Sequence, residues 1–430
     1  MNTRNLLIYR NFKHQNILDD MTFLMEECRK STFRPETYDE KAAGLAGNLI
    51  DFSENHGFCG NIWHTYLAYL LANNENSYST SCEITGSVPG SINEIVLHDF
   101  AVFQELFHYD LDFLESKYKA PCFSVMKHYE AADRNGKVYN ERIRDRICEL
   151  SASLASSDGT EEFKDVLTQF YKEFGVGRFG LHKAFRVVHT DHGAKILPIT
   201  KIAHVRLDDL IGYEIPKKKL RENTEAFVHG RKANNCILYG DAGTGKSSSC
   251  KAILNEYYDD GLRMIEIYRY QFQDLNDVID QIKNRNYKFI IYMDDLSFED
   301  FETEYKYLKA VIEGGLERRP DNVLIYATSN RRHLIREQFT DKEGRRNDLH
   351  ASDTVQEKLS LSARFGVSIF FNGPDKEAFN QIVLGLARRN HIMTEEEELL
   401  DAANKWELAH GGLSGRTAQQ FIDYLMGKEQ

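Results

Sequence analysis

The run Gly240-Asp241-Ala242-Gly243-Thr244-Gly245-Lys246-Ser247 constrains this chain more than any other eight residues in it. It has the spacing GxxxxGK(S/T), follows the apolar run Cys236-Ile-Leu-Tyr239 and leads into Ser248-Ser-Cys-Lys-Ala-Ile-Leu254, a helical pattern. A strand, a glycine-rich turn and a helix in that order turn backbone N–H groups inward and add the positive end of a helix, which suits phosphate. Lys246 is then a cation for the β and γ phosphates, and the Ser247 hydroxyl is a ligand for Mg2+. The spacing predicts a nucleotide-binding loop from Gly240 to Ser248.

The rest of the chain divides around that loop. At 430 residues the protein is too long for one ordinary core, and two or three domains are expected. After Pro198, short β-branched or aromatic runs alternate with amphipathic stretches: Cys236–Tyr239, Met264–Tyr268, Phe289–Met293, Val323–Ala327 and Val367–Phe371. Runs this short and this continuously apolar suit parallel strands buried on both faces, so a five-stranded, doubly wound α/β domain is expected over 196–373. From Asp375 onward only helical spacing remains, which predicts a helical lid over 374–430. Before Pro198, three- and four-residue apolar spacing predicts a mainly helical domain over 1–195, interrupted by a long polar loop at Asn73–Gly90.

Composition narrows the function. The longest apolar runs fall far short of the roughly 20 residues that cross a bilayer, and Met1–Arg10 leads into no signal-type apolar core, so a soluble, cytoplasmic protein with no membrane partner is expected. Seven scattered cysteines without a CxxC pair argue for reduced thiols rather than a disulfide framework or a cysteine zinc site. His56, His64, His98 and His108 show no i, i+4 pairing and read as structural. The formal charge is −12, and between Lys41 and Lys117 there are ten Asp or Glu and no Lys or Arg, which argues against a nucleic-acid partner. The basic block Lys217-Lys-Lys-Leu-Arg221 reads as a solvated helix face.

Six further residues are candidates for chemistry. Phe289-Ile-Ile-Tyr-Met-Asp294-Asp295 ends a buried strand in two acids about fifty residues after the glycine loop. Asp294 is the candidate for the Mg2+ shell and Asp295 for polarising an attacking water, with Glu299 as the substitute because Asp is one methylene shorter than Glu. Val323-Leu-Ile-Tyr-Ala-Thr-Ser-Asn330 ends another strand in polar residues, where the Asn330 amide can orient water. Arg364, just before the fifth run, and Arg416, at the head of the last helix, are candidates for stabilising phosphate charge, Arg364 from a neighbouring subunit.

The order of these features resembles that of the AAA+ ATPases over about 204–430. Leu210-Ile-Gly212-Tyr213, Asp294-Asp-Leu-Ser-Phe-Glu299, Leu316-Glu-Arg-Arg-Pro320, Ala327-Thr-Ser-Asn-Arg-Arg-His333 and Gly412-Leu-Ser-Gly-Arg416 resemble the bacterial AAA+ family catalogued as domain of unknown function 815. Phe174-Gly-Val-Gly-Arg-Phe179 and Lys183-Ala-Phe-Arg186 resemble its N-terminal part. The resemblance implies an AAA+ P-loop core with a lid, ATP and Mg2+ as ligands, contact of Gly212 and Tyr213 with adenine, ATP-linked homo-oligomers and a protein client that it does not name. A nucleotide-gated binding protein with little hydrolysis is the alternative that Asp295 keeps open; a DNA loader is a further one that the net charge opposes. Tyr270-Gln-Phe272 stands where threading machines carry an aromatic pore loop but lacks the usual apolar and Gly partners. Thr340–Asp353 reads as a surface loop leading toward Arg364.

Overall fold

The computed structural model describes residues 3–87, 89–119, 122–131, 141–191, 193–200, 202–297, 304–313, 320–330 and 364–428. The chain forms two compact units, Met1–His182 and Lys183–Gln430.

The first unit is helical, from α1 (Gln15–Glu27) to α10 (Gly177–Leu181). Its central helix α3 (Ile62–Asn73) buries every residue except His64 and Asn73, as befits a helix apolar all round. Trp63 lies fully inside and donates its indole N–H to Leu106 O at 3.0 Å. Two of the acids between Lys41 and Lys117 are turned inward. Asp99 accepts from the backbone N–H groups of Leu7, Ile8 and Tyr9, and Glu83 from that of Val176. The segment expected to be a polar loop contains instead a helix, α4 (Ser77–Thr85). Asn76 caps it by accepting from Tyr78 N and Ser79 N, while Ser79 Oγ answers Asn76 N. This reciprocal cap and the burial of Tyr78 and Cys82 outweigh the polar composition.

The second unit is built on a seven-stranded sheet rather than the five strands expected. In chain order the strands are β1 (Ala184–Thr190), β2 (Gly193–Ile199), β3 (Cys236–Gly240), β4 (Leu262–Glu266), β5 (Lys288–Met293), β6 (Val323–Ser329) and β7 (Val367–Phe371). Their spatial order is β2-β1-β4-β5-β6-β3-β7, parallel throughout except for the β1–β2 hairpin. The hairpin moves the boundary from 195 to between His182 and Lys183. Its sequence hides it: Pro198 sits in β2, which the sheet tolerates because β2 is an edge strand, and charged residues interrupt both strands.

Helices α11 (Glu214–Val228), α12 (Lys246–Tyr257), α13 (Leu275–Ile282) and α14 (Glu304–Glu313) accompany the strands. Cys250, Ile253 and Leu254 of α12 pack with Ile290, Leu324 and Tyr326 of the sheet. Three last helices, α15 (Lys376–Arg389), α16 (Glu396–Ala409) and α17 (Gly415–Lys428), close around Phe379, Val383, Leu399, Ala403, Phe421 and Ile422. Among the described residues no helix is long and apolar enough to cross a membrane.

Candidate functional site

The glycine loop joins the carboxyl end of β3 to the first turn of α12. Gly240, Gly243 and Gly245 all have positive φ, the region that side-chain-bearing residues avoid. Gly240 has no alternative: a Cβ there would lie 2.0 Å from Phe371 O on the neighbouring strand. Lys246 is buried in the loop and donates Nζ to Gly240 O at 2.9 Å and to Asp241 O at 2.5 Å. Burial lowers its pKa, and the Arg416 charge works in the same direction against Asp241, Asp295 and Asp294.

Opposite the loop, β5 and β6 bring their ends together in register, Met293 beside Ala327. The next residues, Asp294 and Thr328, therefore meet. Asp294 Oδ1 accepts three hydroxyl hydrogens, from Ser247 at 2.7 Å, Tyr292 at 2.7 Å and Thr328 at 2.6 Å. Burial works to raise the pKa of this carboxyl, but the hydrogen bonds and the Lys251 charge outweigh it and hold the group below its ordinary value of 3.8. Thr328 Oγ1 also accepts from Asp295 N at 2.9 Å, so one hydroxyl links both acids. Asp295 has φ 50°, a strained value for a residue with a side chain. Its Oδ1 accepts from Asn330 Nδ2 at 2.9 Å.

These groups face a cavity of about 680 Å³ at the carboxyl edge of the parallel strands. Ala242 to Ser248, Asp294, Asp295, Thr328 and Asn330 line one end, and Val205, Leu210, Ile211, Tyr213, Ile382, Leu386 and Arg389 line the other. Gly212, Gly240 and Asp241 stand beside the lining, and the last two contribute the carbonyls that hold Lys246. Tyr213 is held at φ 62° with its ring 5.4 Å from that of Phe371. Its buried hydroxyl meets no partner among the described residues, and burial together with the Asp241 charge pushes its pKa up to about 12. Arg416 lines the cavity from α17, and its backbone N–H donates to Gly243 O at 3.2 Å.

Other candidates fall elsewhere. Arg364 is half-buried just before β7 and does not line this cavity. Glu299, Thr340–Asp353 and Arg331 to His333 lie outside the described residues, as does most of Leu316–Pro320. Tyr270 is exposed and stacks on Tyr268, whereas Phe272 is buried in the same turn, so the two aromatics do not share a surface. The block at 217–221 is not a uniform solvated face: Lys217 is buried, with Nζ 2.8 Å from Leu210 O, and Arg221 pairs with Glu256.

Tyr292, Thr328 and Arg389 are site residues that the sequence reading missed. Tyr292 stands two residues before Asp294, and the two-residue period of a strand puts both on one side. Thr328 had no local signal that set it apart from its neighbours.

A mostly parallel sheet of this order, with its cavity at the carboxyl ends of the parallel strands, defines a doubly wound α/β protein. The chain belongs to the family described as protein of unknown function (DUF815), whose model matches residues 180–429. The match takes in Lys183–Arg186 and ends short of Phe174–Phe179, so all but the last residues of the helical unit lie outside it. Among solved structures, the chain is similar to a single-site variant of RuvB from Thermotoga maritima, with 14% identity and a TM-score of 0.33, over 51% of this chain and 72% of that one. No curated protein matches the sequence.

Proposed function

We propose that the second unit is an AAA+ ATPase core that binds ATP with Mg2+ and hydrolyses it to change the conformation of a protein client. The observation that carries this reading is the 2.7 Å hydrogen bond from Ser247 at the head of α12 to Asp294 at the end of β5. A hydroxyl and a carboxylate held below its ordinary pKa make a hard oxygen pair suited to Mg2+. The donor set fits the nucleotide too: Lys246 is anchored inside a loop of positive-φ glycines, and Tyr213 lines the cavity together with Ile211, Ile382 and Leu386. Mg2+ bound there supplies positive charge beside the phosphates.

The chain's own groups do the rest. Lys246 and the α12 amides hold the phosphates, and Arg416 reaches them from the lid. Asp295 takes the proton of the attacking water, and the Asn330 amide fixes the carboxylate in the orientation for it. Arg364, which precedes β7 and does not line its own cavity, serves the γ-phosphate of an adjoining copy, which makes the active form a homo-oligomer.

The test is a thermal shift followed by turnover. Mg·ATP should raise the melting temperature of the wild-type protein by mass action and leave Lys246→Ala unmoved. Equal shifts for both proteins would remove the phosphate assignment. Phosphate release should then be abolished in Asp295→Asn with ATP still bound. A second reading, nucleotide-gated binding with little hydrolysis, is favoured by the short Asp295 side chain already engaged by Asn330. Single-turnover hydrolysis in the assembled protein separates the two.

A further inference from the structure

One wall of the cavity is built from the chain between His204 and Tyr213, and three side chains from three helices hold this segment and the residue before it. Asn255 of α12 donates Nδ2 to Ala203 O at 3.0 Å and to Val205 O at 2.9 Å. Lys217 of α11 donates to Leu210 O at 2.8 Å. Both fasten the wall to the sheet layer.

The third hold comes from the lid. Arg389 ends α15 and grips Asp209 twice, with Nη1 on its carbonyl at 3.2 Å and Nη2 on its carboxylate at 2.9 Å. The other carboxylate oxygen of Asp209 accepts from Arg206 N at 2.7 Å, so the acceptor is fixed by its own turn before the arginine reaches it. Beside this clasp α15 rests directly on the wall: a Cβ on Gly385 would lie 2.3 Å from Ile211 Cδ1.

Arg389, Asp209 and Ile211 line the apolar end of the cavity together with Ile382 and Leu386 of the lid. An aromatic base entering here would touch the wall on one side and the lid on the other. We propose that Arg389 is a positioning residue for the nucleobase. By clasping the lid to the Asp209–Tyr213 wall it holds the two base-contacting surfaces together, and it contributes to the base's share of binding while leaving the phosphates' share to the glycine loop. The proposal rests on the nucleotide reading of the cavity.

Isothermal titration of the full chain with Mg·ATP and with Mg·tripolyphosphate tests it, because the ratio of the two affinities isolates the base. In Arg389→Ala the ratio should fall about 5- to 10-fold, within the range of ordinary coupling between sites, with tripolyphosphate affinity unchanged. Asp209→Asn should reproduce part of the loss, Arg389→Lys should recover part of it, and Arg389→Ala with Asp209→Asn should lose no more than Arg389→Ala alone. An unchanged ratio in Arg389→Ala, or equal losses for ATP and tripolyphosphate, would overturn the proposal. If Arg389→Ala fails to fold, Arg389→Lys and Asp209→Asn decide by the same ratio. Wild-type protein that binds neither ligand would overturn the nucleotide reading itself, and the proposal with it. Wild-type protein that binds both with equal affinity would overturn the proposal alone.

Discussion

Thr328 gives its hydroxyl hydrogen to Asp294 and takes one from the backbone of Asp295, so a single side-chain oxygen sets the position of both acids. Thr328→Val keeps the shape and removes both bonds. Asp295 is exposed at the cavity, so its N–H can turn to water, and the lost bond should cost about 0.5–1.5 kcal/mol, read as a shift in the urea midpoint. The same change should raise the Asp294 pKa. Because the folded-state pKa of Asp294 is depressed, its stabilisation is present above its ordinary value of 3.8 and is lost as the pH falls through the lower, folded value. Thr328→Val should bring that acid loss to higher pH, seen in melting temperatures between about pH 5 and pH 2. An unchanged acid limb would show that Ser247 and Tyr292 suffice to hold the carboxylate.

At the scale of elements, two turns decide whether neighbouring structure forms. Gly240 lets β3 pass within reach of the Phe371 carbonyl on β7. Gly240→Ala adds a methyl group where there is no room and where φ is 137°, so it should cost more than about 4 kcal/mol, measured by denaturant unfolding. Asn76 acts at the head of α4. Asn76→Ala should destabilise the helical unit by about 1 kcal/mol, with the loss confined to hydrogen-exchange protection in and around residues 77–85. The strands legible in the sequence were β3 to β7: β3 to β6 lie inside the sheet, where burial on both faces leaves nearly continuous apolar runs, and the edge strand β7 keeps one although Ser368 and Phe370 are exposed. The β1–β2 hairpin and α4 were not legible. Their apolar residues are spaced among polar ones whose partners, such as Val176 for Glu83, lie far away in the chain.

At the scale of the whole molecule, the two units share no core: the first has one among its helices, and the second has one against the sheet and another among its last three helices. Calorimetry should therefore resolve two unfolding transitions, and Mg·ATP should raise only that of residues 183–430. One transition moving as a block would show that the units unfold together. Assembly is tested by mixing two inactive proteins, Arg364→Ala and Lys246→Ala. A mixed oligomer pairs the intact pocket of the first with an arginine of the second, and recovered turnover is expected because such arginines are worth about 10³-fold or more. Arg364→Ala as active as wild type would end the case for a trans arginine.

Local spacing was enough to determine the glycine loop, the acidic strand end and the helical character of both ends of the chain. These features depend on residues within a few positions of one another, where backbone conformation and burial leave a periodic trace. Tertiary structure alone decided which hydroxyls gather on Asp294, which strands extend the sheet and how the apolar end of the cavity is closed. Asp209 and Arg389 are 180 residues apart, and neither has a neighbour in sequence that announces the other. Only the return of α15 onto the wall after seven strands brings the guanidinium within hydrogen-bonding distance of its acid.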